Sequence, residues 1–236
     1  MLSFIVPAHN EEHELPGTLQ TLRAAAETHG ETFEVIVVAD ASTDATAEIA
    51  ERGGARVVSV NLRQIAAVRN AGARVARGET LFFVDADTRI TLGHIGAALA
   101  ALESGYAGGS ARVAFDERMP LLARIFLRVF SVFYFGANLG VGAFLFMRRS
   151  SFEAVGGFDE QYFAGEEVYL TIALRQLGRF VILPEPIVTS ARKIRMHGSG
   201  FVLAQSFFVV FRGREGLLQR DKLALWYDGK RERAKT

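Results

Sequence analysis

Short apolar runs alternate with longer amphipathic stretches along the first third of the chain. Residues 3–8, 34–39 and 81–84 are nearly unbroken apolar segments, with Val35-Ile36-Val37-Val38 at the heart of the second, and the more mixed run 56–60 reads as a further strand. Runs of this length and composition suit strands covered on both faces. Helical stretches fall between them, at 12–28, 44–52 and 65–76. Leu15, Leu19 and Leu22 share one face of the first, Ser42 or Thr43 caps the second, and the third is rich in alanine and ended by Gly78. This alternation predicts an α/β fold: a doubly wound, mainly parallel sheet flanked by helices and joined by right-handed crossovers.

The second half is less regular. It predicts a helix at 92–103, a strand at 107–115 beginning after Gly108-Gly109, an aromatic amphipathic helix at 120–135 and a strand at 143–148. A short helix at 150–155 ends at Gly156-Gly157, and a longer one at 166–177 is stopped by Gly178. A strand at 180–183 is followed by Pro184 and Pro186. No internal repeat or low-complexity linker divides the chain. One domain over 1–220 is expected, with halves at 1–90 and 91–220, and a charged tail at 221–236 that frays.

Composition narrows the class. The 236 residues are half hydrophobic, enough for a substantial core, and 27 basic against 26 acidic residues give a net charge of +1. That balance argues against electrostatic capture of nucleic acid. With no cysteine, disulfides, zinc–thiolate sites and thiol catalysis are excluded. Met1 to Pro7 lacks a basic region followed by a long apolar stretch, so cytoplasmic residence is the expectation. Residues 129–147 carry no charge, but Gly136, Asn138, Gly140 and Gly142 interrupt them and suggest helix, loop and strand instead of a membrane span. This block and residues 201–211 are rich in Phe and flanked by Arg. Two readings stand for them: peripheral contact at the inner face of a membrane, or a buried or homodimer-forming aromatic surface.

The chemistry concentrates at strand ends. Asp85-Ala86-Asp87 follows the apolar run Leu81-Phe82-Phe83-Val84. Side chains alternate along a strand, so the two acids can share one target while Ala86 points elsewhere. Hard cations such as Mg²⁺ and Mn²⁺ take oxygen ligands and commonly share them with substrate phosphates. A solvated turn is the plain alternative. In doubly wound sheets, ligands bind beyond the carboxyl ends of the strands. Pro7-Ala8-His9-Asn10-Glu11, Asp40 and the Asp85/Asp87 pair all lie at such ends.

Five ordered motifs resemble family 2 glycosyltransferases of the GT-A fold. They are Ile5-Val6-Pro7-Ala8-His9-Asn10-Glu11-Glu12, the strand and turn from Val35 to Thr46, Arg69-Asn70-Ala71-Gly72, Asp85-Ala86-Asp87, and Gly156-Gly157-Phe158-Asp159-Glu160 followed by Glu166-Glu167. The resemblance runs from about Ser3 to about Arg195 and is nearest to small, stand-alone bacterial members. It implies a nucleotide site built from Pro7, Ala8, Asn10, Glu11, Asp40, Arg69 and Asp85. It implies a Mn²⁺ or Mg²⁺ site at Asp87 and Asp85, completed by His197, and a general base at Glu167 or Glu166. Against these stand plainer roles: Arg69 pairing with a surface carboxylate, Glu166 and Glu167 complementing a helix dipole, and His197 solvated on a loop. Two departures stand out. Glu occupies both positions where inverting members more often have Glu-Asp, and Ala41 replaces the glycine of the usual Asp-Asp-Gly-Ser turn. Without glycine the turn must avoid positive φ at residue 41 or bear strain.

The implied activity is metal-dependent, inverting transfer of a sugar, hexosyl in type, from a UDP- or GDP-linked donor to a hydroxyl on a glycan, lipid or small molecule. A nucleotidyltransferase would also use a doubly wound sheet and carboxylate-bound Mg²⁺, but its glycine-rich, basic opening loop is missing at residues 7–11. A non-catalytic nucleotide-sugar-binding or membrane-associated scaffold protein of the same fold is the alternative from outside catalysis.

Overall fold

The computed structural model describes residues 1–116, 121–192, 196, 216–220 and 223. The uninterrupted apolar runs become the middle of one eight-stranded sheet. Strand β1 (Leu2–Ala8) is buried at every residue and lies between β2 (Phe33–Asp40) and β4 (Thr80–Val84), parallel to both. Strand β3 (Arg56–Val60) extends the parallel half beyond β2.

Alternation along β1 sends side chains into two layers. Phe4, Val6 and Ala8 pack with Leu15, Leu19 and Leu22 of helix α1 (Leu15–His29), and with Ile95, Ala98 and Leu102 of α4 (Leu92–Glu103). On the other face Ile5 packs with Val68 and Ala71 of α3 (Ile65–Val75), and Leu170 and Leu174 of α7 (Glu166–Leu177) join the same layer. The α3 helix sits very close to the sheet at Gly72, where a Cβ would lie 2.4 Å from Ile5 Cγ2. Any larger residue there would push the helix off the strand.

The second half is mixed. Strand β7 (Phe144–Arg148) runs antiparallel between β4 and β6 (Gly108–Phe115), and β8 (Phe180–Thr189) runs parallel to β6. The order is β3-β2-β1-β4-β7-β6-β8-β5. The mainly parallel expectation therefore describes β3 to β4, and the inserted β7 makes the sheet mixed. Helix α5 (Leu121–Gly136) precedes β7, and α2 (Thr46–Arg52) and α6 (Arg149–Ala154) complete the helices named.

Several local expectations need correction. The last strand does not stop at residue 183. It continues through Pro184 and Pro186 to Thr189, and its register with β6 shifts between Ala111 and Val113, opposite the prolines. A bulge tolerates residues that cannot donate to the ladder. Helix α1 starts at Leu15, not residue 12, with Pro16 in its first turn. Helix α3 ends at Val75, with extended Ala76 as its cap, so Gly78 is not what stops it. Gly108 and Gly109 belong to β6 and do not merely precede it. The two-residue strand β5 (Thr88–Arg89), paired with β8, has no apolar run to announce it. Neither Ser42 nor Thr43 caps α2; Asp44 accepts from Thr46 N at 3.0 Å, while Ser42 and Thr43 bond to Asn10. The block at 129–147 forms helix, loop and strand as expected, and among the described residues no helix is long and apolar enough to cross a membrane.

Candidate active site

The parallel strands end at one rim, and the rim opens into a cavity of about 770 Å³. Pro7, Ala8, His9 and Glu11 reach it from the end of β1, Asp40 from β2, and Asp85 and Asp87 from β4. Ala86, between the two acids, is buried in the layer of α1 and α4, and its carbonyl accepts from Thr18 Oγ1 at 2.8 Å. The alternation expected of Asp-Ala-Asp is thus present.

Each carboxylate of the pair meets an arginine. Arg69 Nη2 donates to Asp85 Oδ1 at 2.8 Å. Arg192 Nη2 stands 3.6 Å from Asp87 Oδ2 and also holds Glu11 in a two-pronged pair, at 2.7 and 2.8 Å. Thr189 Oγ1 donates to Asp87 Oδ1 at 3.3 Å. Arg192 therefore joins the loop after β1 to the tip of β4. Burial works against its charge, but hydrogen bonding to Glu11 and the charges of Glu11, Asp87 and Glu14 hold its pKa above the ordinary value.

Arg69 is 2 % exposed, and both of its terminal nitrogens are engaged while its buried Nε has no hydrogen-bond partner. Besides Asp85 it donates to Glu166 and, at 2.9 Å, to the Gly142 carbonyl, and its guanidinium lies over the Phe158 ring at 5.3 Å. Burial opposes its charge, but Asp85, Glu166 and Glu167 outweigh that and strengthen its hold on the proton. Its partner Asn70 clamps the segment before α7. The Asn70 amide donates to the Phe158 carbonyl and to Glu160 Oε1, both at 2.9 Å, and accepts from Phe158 N at 3.0 Å. The Arg-Asn-Ala-Gly run thus does three things: it bridges carboxylates, ties a loop and seats a helix on the sheet.

Glu166 and Glu167 open α7 and both line the cavity. Glu166 is 3 % exposed; burial raises its carboxyl pKa against the pull of Arg69. Desolvation and the neighbouring Glu166 carboxylate push the Glu167 pKa up to about 8. Tyr134 of α5 also faces the cavity. Its hydroxyl donates to the Gly140 carbonyl at 2.7 Å, and burial together with the charges of Glu167 and Glu166 raises its pKa.

Asp40 and Asn10 shape the rim from within the chain. The Asp40 carboxylate accepts from Leu62 N at 2.7 Å and from Arg63 N at 2.9 Å, fixing the loop after β3. Asn10 is not among the cavity-lining residues; its side-chain oxygen accepts from Thr43 N at 2.8 Å. Ala41 has φ +50°, the strained option for a turn without glycine. His197 lies outside the described residues, as do Lys193, Arg195, residues 201–211 and, apart from Leu223, the tail at 221–236.

Sequence reading placed His9 at a strand end without a role of its own and did not single out Arg63, Gln64 or Tyr134. Arg63 Nη1 donates to His9 Nε2, which leaves Nδ1 to donate to the Asp40 carbonyl at 2.7 Å. Gln64 caps α3 by accepting from Ala67 N at 3.2 Å, and it donates to the carbonyls of Glu160 and Tyr162. Gln64, immediately before the apolar start of α3, was the one legible signal, since a polar residue there suits a cap.

The donor chemistry at Asp85 and Asp87 fits a hard divalent cation: two carboxylates face the same cavity from one strand tip. Among the described residues no group of three or more His, Cys, Asp or Glu side chains is arranged to hold a metal ion.

Comparison with known proteins agrees with this architecture. The model of the family "Glycosyl transferase family 2" matches residues 3–156. An undecaprenyl-phosphate 4-deoxy-4-formamido-L-arabinose transferase of Pseudomonas paraeruginosa is 39% identical over 95 residues, 37% of this chain and 28% of that protein. A dolichyl-phosphate beta-glucosyltransferase of Drosophila melanogaster is 44% identical over 100 residues, 36% of this chain and 30% of that protein. The matched part thus spans under a third of the length of these relatives. Among solved structures, the mannosyltransferase PcManGT from Pyrobaculum calidifontis, in complex with GDP-Man and Mn²⁺, superposes with a TM-score of 0.64 at 20% identity, covering 97% of this chain and 73% of that one. Residues 1–349 of S. aureus TarS, in complex with UDP-GlcNAc, superpose with a TM-score of 0.61 at 19% identity, covering 97% and 72%. These likenesses show the GT-A fold of nucleotide-sugar transferases. With a family match over more than half of its residues, the chain belongs to glycosyl transferase family 2.

Proposed function

We propose that the protein is a metal-dependent, inverting glycosyltransferase that moves a sugar from a UDP- or GDP-linked donor to an acceptor oxygen. The observation that carries this reading is the convergence of three strand tips and the start of α7 on one cavity. Pro7, Ala8, Glu11 and Asp40 form the nucleotide side, and Asn10 supports it from behind by holding the turn at Ser42 and Thr43. Asp85 and Asp87 hold Mg²⁺ or Mn²⁺ together with the donor's diphosphate. A bound cation there neutralises charge on the departing diphosphate. His197 belongs to this reading as a third ligand.

In the reaction the acceptor hydroxyl oxygen bonds to the anomeric carbon as the bond from that carbon to the diphosphate oxygen breaks. Glu167 takes the hydroxyl proton, and the nucleoside diphosphate leaves. A single displacement inverts the configuration. A base with a pKa near 8 is well matched to proton transfer near neutrality. Arg69 sets the distance between the donor side and the base by holding Asp85 and Glu166 together.

A second reading of the acceptor has its own support. A carboxyl with a pKa near 8 holds its proton at pH 7, and a phosphate acceptor brings an ionised oxygen that needs no base. Two relatives are named for transfer to undecaprenyl phosphate and dolichyl phosphate. A lipid-phosphate acceptor would place the enzyme at the cytoplasmic face of a membrane.

The test is a thermal-shift panel of UDP, GDP, CDP and dTDP with and without Mn²⁺, followed by donor turnover. A metal-dependent shift with one nucleotide and steady release of that nucleotide from its sugar donor is expected. Tight donor binding without turnover would leave a binding protein, and no shift with any nucleotide would defeat the reading.

A further inference from the structure

We infer that helix α5 docks the protein on an anionic lipid surface. Ile125, Val129, Val132 and Phe133 are 52, 51, 66 and 74% exposed, the largest run of exposed apolar side chains on one element among the described residues. Their spacing of three and four residues places them on one face of the helix. The stripe has a charged border. Arg128 adjoins Val132 around the helix, Arg124 lies one step further round, both are exposed, and α5 contains no acidic residue. An apolar face edged with arginine is the pattern of a helix lying in the plane of a bilayer interface, where the guanidinium groups meet anionic headgroups.

The stripe is continuous with the candidate active site. Phe130, Ser131 and Tyr134, on the next arc of the same helix, line the cavity. Ile172 of α7 is 44% exposed and lines it too, so the apolar wall of the cavity reaches the surface beside α5. Docking this face would bring lipid to the side of the cavity where Glu167 stands. The inference deepens the transferase reading by locating its acceptor, and it rests on that reading for its purpose but not for its geometry.

A second copy of the chain fits the stripe less well. The four described side chains of the stripe fall far short of the roughly 800 Å² per partner of a stable interface. An α5–α5 contact would also bring arginines together with no acid on the helix to meet them.

Co-sedimentation of the full chain with vesicles tests this without donor present. The wild type is expected to pellet with phosphatidylcholine vesicles containing phosphatidylglycerol, more weakly with phosphatidylcholine alone, and less as salt rises. The double variant Val132→Asp/Phe133→Asp, on exposed positions outside the cavity wall, is expected to lose about tenfold in partitioning while its melting temperature and donor hydrolysis in solution stay unchanged. Equal partitioning of variant and wild type, or none by either, overturns the inference. So does a wild-type dimer on gel filtration that the variant converts to monomer. Vesicle binding with no nucleotide-dependent stabilisation would instead sink the transferase reading and leave the docking surface standing.

Discussion

Asp85 at the tip of β4 and Glu166 at the first turn of α7 are joined through one guanidinium, that of Arg69. In the proposed transfer reaction the first acid stands on the donor side of the cavity and the second on the acceptor side. Their separation is therefore fixed by a buried side chain and not by a loop.

Removing that side chain should be costly. Arg69→Ala leaves two carboxylates, one of them 3 % exposed, without their counter-charge. A destabilisation of about 3–5 kcal/mol is expected in urea unfolding, since breaking a buried ion pair strands its partner. Arg69→Lys keeps the charge but not the fork, so it should fold and lose turnover by about tenfold or more while nucleotide binding is retained. Full turnover in Arg69→Lys would show that the bridge does not position the reacting groups.

The raised pKa of Glu167 has a defined pH signature. Between its ordinary value of 4.5 and about 8, the folded state keeps a proton that the unfolded state releases. The unfolded state then binds fewer protons, so the contribution of this group to stability falls as pH rises through that window. Glu167→Gln cannot ionise. Its stability relative to wild type should grow from pH 5 to pH 8.5, reaching about 2 kcal/mol after allowance for partial solvent access. Parallel melting curves across pH decide the matter.

The same residue separates the two acceptor readings. With a hydroxyl acceptor, turnover should climb with pH towards a plateau above about 8, and Glu167→Gln should be nearly inactive. With a lipid-phosphate acceptor, turnover should lack that limb, and Glu167→Gln should retain most activity. Rate profiles of both proteins against both acceptor types distinguish the cases.

The Asp85/Asp87 pair gives a further expectation. Chelation with EDTA should abolish the metal-dependent part of nucleotide stabilisation. Asp87→Ala should do the same while leaving the fold intact, because Asp87 lies at the cavity edge with 18% of its side chain exposed. An undiminished Mn²⁺-dependent shift in Asp87→Ala would remove it from the metal site.

Ala41 offers a simple backbone test. Its φ of +50° costs a residue with a Cβ about 1–2 kcal/mol, partly offset in the glycine variant by a freer unfolded chain. Ala41→Gly should raise stability by about 0.5–1 kcal/mol in a denaturant titration.

Much of the parallel half could be read directly, because Val35-Ile36-Val37-Val38 and Leu81-Phe82-Phe83-Val84 are short, turn-bounded apolar runs of the kind that suits doubly covered strands. The cavity acids were legible for a related reason: strand-end position and alternation are local properties, and Ala86 turns inward as they require. What the chain hid were partners. Nothing in Arg69 or Arg192 announces which carboxylate it meets across 97 or 181 positions. Strand β8 was cut short because proline usually ends a strand, and only the register shift against β6 shows how the sheet absorbs two of them. Asp40 looked like a ligand group, yet its carboxylate takes two backbone N–H groups of its own chain, a use that no strand-end rule foretells.

Asn70 carries a practical lesson for engineering. It sits in the N-terminal half and grips Phe158 and Glu160 in the C-terminal half, with Gln64 one turn earlier gripping the same segment. A chimera spliced near residue 90 would separate these grips from the segment they hold. Exchanging acceptor preference between homologous scaffolds should therefore be attempted by transplanting the outward wall of α5 and α7, leaving the α3 fastening with its native mate.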